Sequence, residues 1–447
     1  MEGRLIILDQ FNDRREQMNS EILELEKKEF VKRDIELDFI ASQNLCSEDI
    51  LDACSSISQM KYAEGFPGKR YYAGCEVVDE IESRCQEELL KLFKAEDEYY
   101  ANVQPANGSS ANLVAYRALL EPGACVLAPS TDMGGHISHG HPLSTVAQFY
   151  DVITYGLTDE GYIDYDEMER LAIKELPSMI IVGMSNYSRQ INYARVREIA
   201  DKVDALVMAD IAHISGLIAT GNHPSPVGYA DVITSTTHKI LRGPRSAFML
   251  YLKDYDKEVK RAQIPGCFGG PDEAKILAKL LCFKEAQSEE YKKYCEQVLK
   301  NAKVMVNTFI ACGVPILTGG TENHSFCLDL TEFPCSGREL ADTLASAGVI
   351  TNCNSIPNDK RSFFQTSGLR MGTPSVTTRG LKEDECKAIA RCIALYLQAL
   401  RAKDEVQSSN AITILQGIVS DCVSFHPLKN LYPRKYEELF QESYILN

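Results

Sequence analysis

Between about residues 150 and 255 the chain alternates short apolar runs with stretches of helical periodicity. SMIIVG (178–183), ALVMAD (205–210), Val232–Thr234 and AFMLYL (247–252) read as buried strands, being short, continuous and bounded by polar residues. Val196, Ile199, Ala200 and Val203 recur at i, i+3, i+4 and i+7 and mark a helix between the first two runs. Continuous apolar strands alternating with helices predict an α/β fold, its mostly parallel central sheet covered by helices on both faces. Ligands of such sheets bind beyond the carboxyl ends of the strands, which puts Asp210, His213, His238 and Lys239 on one edge.

The flanking pattern differs. The first 35 residues are charge-rich with a few apolar positions and read as a helical arm packed on another domain or subunit. FIASQNLCSEDIL is a short extended piece running into a helix, and KYAEGFPGKRYYAGCE is a Gly/Pro loop crowded with aromatic and charged side chains. NVQPANGSSANLVAYRALL passes from loop to helix at Asn107-Gly108-Ser109, with Leu113, Tyr116 and Leu120 at helical spacing. After residue 255 a long helical stretch bridges into a second unit. That unit has a weaker strand at 324–330, a loop-rich segment at 352–380, and a helix at 382–400 whose apolar face includes Cys386, Ile389, Ile393 and Leu397. These patterns divide the chain into an arm (1–35), a large domain (36–290) and a smaller α+β C-terminal domain (291–447) with a mixed, partly polar tail beyond about 400.

Composition narrows the function. The 447 residues suffice for two domains, and a formal charge of −16 gives no basic field to attract nucleic acid or an anionic membrane. The N-terminus has only a four-residue apolar run, and no stretch is expected to span a membrane. Fifteen scattered cysteines, never spaced C-x-x-C, suggest reduced thiols and a cytoplasmic setting. His136, His139 and His141 lie close together, but H-x-x-H-x-H lacks helical ligand spacing and no metal is expected.

Chemistry gathers at DVITSTTHKILRGPR (231–245). A lysine at the end of a buried strand is poorly solvated, which lowers its pKa and suits it to a Schiff base. Asp210 closes the preceding strand, and a buried carboxylate there needs a cation or strong donors. The helix start at Gly108-Ser109 offers free N–H groups to an anion. A lysine, a carboxylate and a helix N-terminus are what pyridoxal phosphate requires for its aldehyde, ring nitrogen and phosphate.

IASQN, KYAEGFPGKRYYAGCE, NVQPANGSSAN, GGHISHG, MADIAHISGLI, STTHKILRGPR and TSGLRMGTPSVTTRG, in this order over about residues 36–400, resemble serine hydroxymethyltransferase. That family has the fold of the type I pyridoxal-phosphate transferases. The resemblance implies that Lys239 carries the cofactor, with His238 near the phosphate, Asp210 on the ring nitrogen and His136 stacked on the ring. It places His213 and Ser185 on the phenolic oxygen side, and Gly108 and Ser109 on the phosphate. Arg370 would bind the substrate carboxylate, aided by Ser42 and His213, and Asn354 would contact the folate. Tyr62, Glu64 and Tyr72, with Gly269 and Gly270, would come from a partner subunit, Glu64 handling a proton near the substrate hydroxyl. The implied assembly is a homodimer with shared active sites, or a tetramer of such dimers. The implied reaction interconverts serine plus tetrahydrofolate with glycine plus 5,10-methylenetetrahydrofolate.

The chain departs from the family pattern at Gln43, where Glu is usual and a charge near the substrate entrance is removed. It departs also at Ala73, at Asn107–Ser110, and at Thr131, where an apolar residue commonly faces the folate. These positions leave open a related enzyme acting on another β-hydroxy amino acid, an α-methylserine hydroxymethyltransferase or a folate-independent aldolase.

Overall fold

A computed structural model describes residues 21–440. The first 20 residues of the expected arm lie outside the described residues. A seven-stranded sheet forms the centre, in the order Tyr99–Asn102, Ala247–Leu252, Val232–Thr236, Leu206–Asp210, Met179–Val182, Cys125–Pro129 and Asp151–Tyr155. All strands run parallel except Ala247–Leu252, which is antiparallel to both neighbours. The reason is local: only the Thr237–Ser246 loop separates it from Val232–Thr236, too little chain for a crossover.

Successive residues of each strand enter opposite cores, which is why the runs are apolar throughout. Met179 and Ile181 pack with Ala111, Val114 and Ala115 of the helix Gly108–Leu119. Ile180 and Val182 pack on the other face with Val196, Ile199 and Ala200 of the helix Tyr193–Asp201.

The bridge after residue 255 is two helices, Glu273–Glu285 and Glu289–Ala311, the second capped by Ser288, whose side chain accepts from Tyr291 N. Glu289–Ala311 gives Tyr291, Cys295 and Val298 to the large core and Ala302, Met305 and Phe309 to a second core. The second core encloses an antiparallel sheet of Ser325–Asp329, Gly368–Gly372 and Asn352–Asn354. Leu37 and Phe39 also belong to this core, Leu37–Asp38 pairing with Val349–Ile350, so the opening of the expected large domain packs with the smaller unit.

The stretch beyond 400, expected as a mixed, partly polar tail, is largely helical over the described residues. The stretch Glu405–Asn430, which begins with the helix Glu405–Phe425, is long and apolar enough, by length and composition, to cross a membrane, contrary to the sequence expectation. The helix packs along Glu383–Ala402, buries Ala411, and sends Leu415, Val419 and Cys422 into the second core. The chain then returns to the helix over 21–35, where Phe30 meets Leu428, Tyr432 and Leu439.

Candidate active site

The strands Leu206–Asp210 and Val232–Thr236 lie side by side with Asp210 opposite Thr234, so both carry their following residues to one sheet edge. The chain leaving the neighbouring strand passes beneath Asp210 at Gly183, whose φ is +131°. A Cβ there would sit 2.0 Å from the Asp210 carbonyl oxygen, so only glycine fits. One cavity at this edge is lined by Gly108, His136, Ser185, Asp210, His213 and Lys239 among others.

Asp210 is held from three sides. His139 Nε2 lies 2.9 Å and Asn112 Nδ2 3.0 Å from Oδ2, and Ala212 N donates to Oδ1 at 3.1 Å. Burial alone would raise this carboxyl, but the His139 hydrogen bond and charge, then His136 and Asn112, outweigh it and hold it well below the usual range. Asn112 is itself fixed by Thr234 Oγ1, which donates to its Oδ1 at 2.6 Å, and by Ser138 Oγ, which accepts from its Nδ2 at 2.9 Å. His136 Nδ1 is 2.7 Å from the same Ser138 Oγ. Two histidines of the three-histidine loop, His139 and His136, therefore act on Asp210, and among the described residues no cluster is arranged for a metal.

Lys239 is 8% exposed. Burial lowers its amine from 10.5 to about 8; Asp210 opposes the drop, and Arg370 and Arg245 add to it. Burial also lowers His136 and His238 to about 4, with Lys239 contributing to both, and drives His213 well down. His213 Nδ1 and His238 Nδ1 are buried without a hydrogen-bond partner. The helix at Gly108 has a full capping box, Asn107 Oδ1 accepting from Ser110 N at 2.9 Å, which leaves the first-turn N–H groups directed outward.

Arg370 enters from the small sheet. It is 8% exposed, its Nη1 donates to Ser185 O at 2.6 Å and its Nε to Asn352 Oδ1 at 3.2 Å. Among the described residues no carboxylate pairs with it. Asn352 Nδ2 donates in turn to Asn354 Oδ1 at 3.0 Å, linking the expected folate contact to the arginine. Ser42 follows Ala41, which packs against Gly372 on the Arg370 strand. Gln43, expected near the substrate entrance, is exposed and lines a different cleft with Glu29, Arg33, Asp38 and Arg379.

The remaining expected residues gather elsewhere. Tyr72 OH donates to Glu64 Oε2 at 3.3 Å, the Tyr62 and Tyr72 rings meet edge to face at 5.5 Å, and Cβ atoms on Gly269 and Gly270 would lie 3.1 and 3.4 Å from Glu64. Tyr62 is 65% exposed, and none of these residues lines the Lys239 cavity. One chain thus carries two groups of site residues, one enclosed and one on the surface.

The enclosed group fits pyridoxal phosphate by its donor set: an amine whose proton is held weakly, a buried ionised carboxylate steadied by His139 and Asn112, imidazole nitrogens lacking partners, and a helix N-terminus. The supporting residues Asn112, His139 and Asn352 escaped the sequence reading. His139 carried a visible signal in H-x-x-H-x-H, but as a possible metal ligand rather than a donor to Asp210.

Comparison with known proteins points to one family. The family model for serine hydroxymethyltransferase matches residues 15–393. Serine hydroxymethyltransferase 2 of Pseudomonas putida is 47% identical over 384 residues, 86% of this chain and 91% of the relative. The serine hydroxymethyltransferase of Coprothermobacter proteolyticus is 47% identical over 379 residues, 85% and 91% of the two chains. A probable serine hydroxymethyltransferase of Mesomycoplasma hyopneumoniae is 47% identical over 386 residues, 86% and 91%.

Proposed function

The chain belongs to the serine hydroxymethyltransferase family, and from that premise we propose which residues perform its reaction. The enzyme interconverts serine plus tetrahydrofolate with glycine plus 5,10-methylenetetrahydrofolate, with pyridoxal phosphate as cofactor. Bound pyridoxal phosphate supplies an electrophilic carbon and an electron-withdrawing ring that takes up the electron pair released at the substrate α-carbon.

Lys239 is the covalent anchor, since burial makes its free amine accessible near neutral pH. Asp210 would keep the ring nitrogen protonated, and His139 and Asn112 keep Asp210 ionised. His136 would cover the cofactor ring, while Ser185 and the unpartnered His213 Nδ1 would serve its phenolic oxygen. Gly108 and Ser109 N–H groups, with His238, hold the phosphate. Arg370 pairs with the substrate carboxylate, and its bonds to Ser185 O and Asn352 orient the guanidinium before substrate arrives. Ser42 assists, and Asn354 contacts the folate.

Glu64 holds and moves the proton at the substrate hydroxyl, with Tyr62, Tyr72 and Gly270 beside it, each contributed by the neighbouring subunit. The exposure of this group, and its separation from Lys239 within one chain, support a homodimer with shared sites. A cytoplasmic enzyme is the setting that fits its reduced cysteines and small soluble substrates.

The observation that carries this reading is the pairing of Lys239 and Asp210 at adjacent strand ends, one held ready to lose a proton and the other held ionised. The test is a visible spectrum of the holoenzyme with glycine, with and without tetrahydrofolate. A long-wavelength band that grows on adding tetrahydrofolate is expected. A band indifferent to folate refutes the assigned one-carbon acceptor and favours a folate-independent aldolase.

A further inference from the structure

Beneath the Glu64 loop lies a buried ionic cluster that touches no ligand. Arg70, its side chain 3% exposed, donates from Nε to Asp79 Oδ1 at 2.8 Å and from Nη2 to Glu82 Oε2 at 2.6 Å. Its remaining nitrogen, Nη1, donates to Ala63 O at 2.7 Å and to Gly65 O at 2.9 Å, the carbonyls on either side of Glu64. Gln104 Nε2 reaches the same Gly65 carbonyl and Glu82 Oε1, each at 2.9 Å. The Glu64 carbonyl itself accepts from Tyr71 N at 3.0 Å. Glu64 is therefore gripped by its backbone on both sides while its carboxylate faces outward.

Burying a guanidinium with two carboxylates is a costly way to pack a turn, and apolar side chains of similar volume often do as well or better. What the arrangement supplies is geometry: a planar fork fixes several acceptors at set angles, which a lysine cannot reproduce. Glu273, buried beside the cluster and raised by burial to about 8, is neutral near pH 7 and leaves Arg70 to Glu82 and Asp79. Gln104 also ties the cluster to the Val103–Asn107 segment that opens the phosphate helix.

We propose that Arg70, seated on Glu82 and Asp79, is the positioning residue that sets the reach and direction of the Glu64 carboxylate. This rests on the reading that Glu64 handles the substrate proton. A displacement of the order of 1 Å in such a group costs up to about 100-fold in rate.

The test compares holoenzymes carrying Arg70→Lys, Glu64→Gln and both, reading serine kcat and KM with tetrahydrofolate, cofactor absorbance and thermal midpoint. Arg70→Lys is expected to lower kcat by about 10- to 100-fold, with serine KM and cofactor content close to wild type. Combined with Glu64→Gln it should add no further loss, because both changes act on one group. Wild-type kcat in Arg70→Lys, or losses that multiply in the double variant, overturns the proposal. Wild-type kcat in Glu64→Gln instead overturns the role of Glu64, and the positioning role falls with it. If Arg70→Lys does not fold, Gln104→Leu removes the second donor to Gly65 O. It should then lower kcat several-fold, by roughly 1 kcal/mol of barrier, only when Glu64 is present; a loss independent of Glu64 overturns the proposal.

Discussion

Replacing Lys239 with methionine should stabilise the apoprotein while destroying its function. Lys239 is 8% exposed, and burial, with Arg370 and Arg245, lowers its amine from 10.5 to about 8 against the pull of Asp210. At about 1.4 kcal/mol per pH unit, holding the protonated amine in the fold costs about 3 kcal/mol at pH 7. The sign follows from proton counts. Between pH 8 and 10.5 the unfolded chain keeps the lysine proton that the folded chain has lost, so wild-type stability rises with pH across this window. Methionine has no charge to desolvate and a similar unbranched shape. The variant should therefore exceed wild type by about 3 kcal/mol at pH 7, an order-of-magnitude figure, with the gap closing toward pH 10.5. Urea unfolding of both cofactor-free proteins at pH 7 and pH 10 reads this directly, since other titrations cancel in the difference. An equal or less stable variant at pH 7, or a gap that does not close with pH, refutes the reasoning.

Other outcomes are equally specific. Lys239→Ala should abolish the borohydride-reducible visible chromophore, and a surviving chromophore would contradict the anchor. Cofactor capture by the apoprotein should speed up about tenfold from pH 6 to 7 and level off above about 8, where the amine is already free; stopped-flow absorbance distinguishes this from a rise continuing toward 10.5. Arg370→Ala should weaken serine binding by about 3–5 kcal/mol, and an unchanged spectral titration with serine would exclude the carboxylate pairing. Gly183→Ala, with φ +131° and a Cβ placed 2.0 Å from the Asp210 carbonyl, should shift that strand end. Cofactor affinity, measured by equilibrium absorbance, is expected to fall by at least about 2 kcal/mol. Mixed dimers of Lys239→Ala and Glu64→Ala chains should regain partial activity, and complete inactivity would count against shared sites.

The parts of the fold visible in the sequence are those where one residue type answers one physical demand. Strands buried on both faces need apolar residues at every position, so ALVMAD and Val232–Thr234 could be placed by inspection, and with them Asp210 at the end of the first and Lys239 just beyond the second. The reversed strand Ala247–Leu252 has the same apolar run as its parallel neighbours, and its direction depends on loop length alone. The tail shows the opposite failure. Ala411, Leu415, Val419 and Cys422 form one buried stripe among serines and glutamine, a pattern weak enough to read only as a mixed, partly polar tail until the Glu383–Ala402 helix is beside it. Asn112, His139 and Asn352 act through partners distant in the chain. Asn112 and Asp210 are 98 residues apart, and no local pattern reports such a bond.

These hidden residues explain how the cavity distributes charge. His136, His213 and His238 are all lowered chiefly by burial and stay neutral near pH 7, so they add hydrogen-bonding nitrogens without adding cations. Asp210, by contrast, remains an anion because His139, Asn112 and the Ala212 N–H together outweigh its desolvation. Arg370 is lowered only to about 10 and remains a cation. The enclosed site thus presents one fixed anion, one fixed cation, a helix N-terminus and a lysine able to shed its proton. Those charges match a protonated ring nitrogen, a substrate carboxylate, a phosphate and an aldehyde, one for each. An arginine at Asp210 would compete with the ring nitrogen proposed to meet it there, and the donors that reach its carboxylate are instead a neutral amide, a backbone N–H and a histidine.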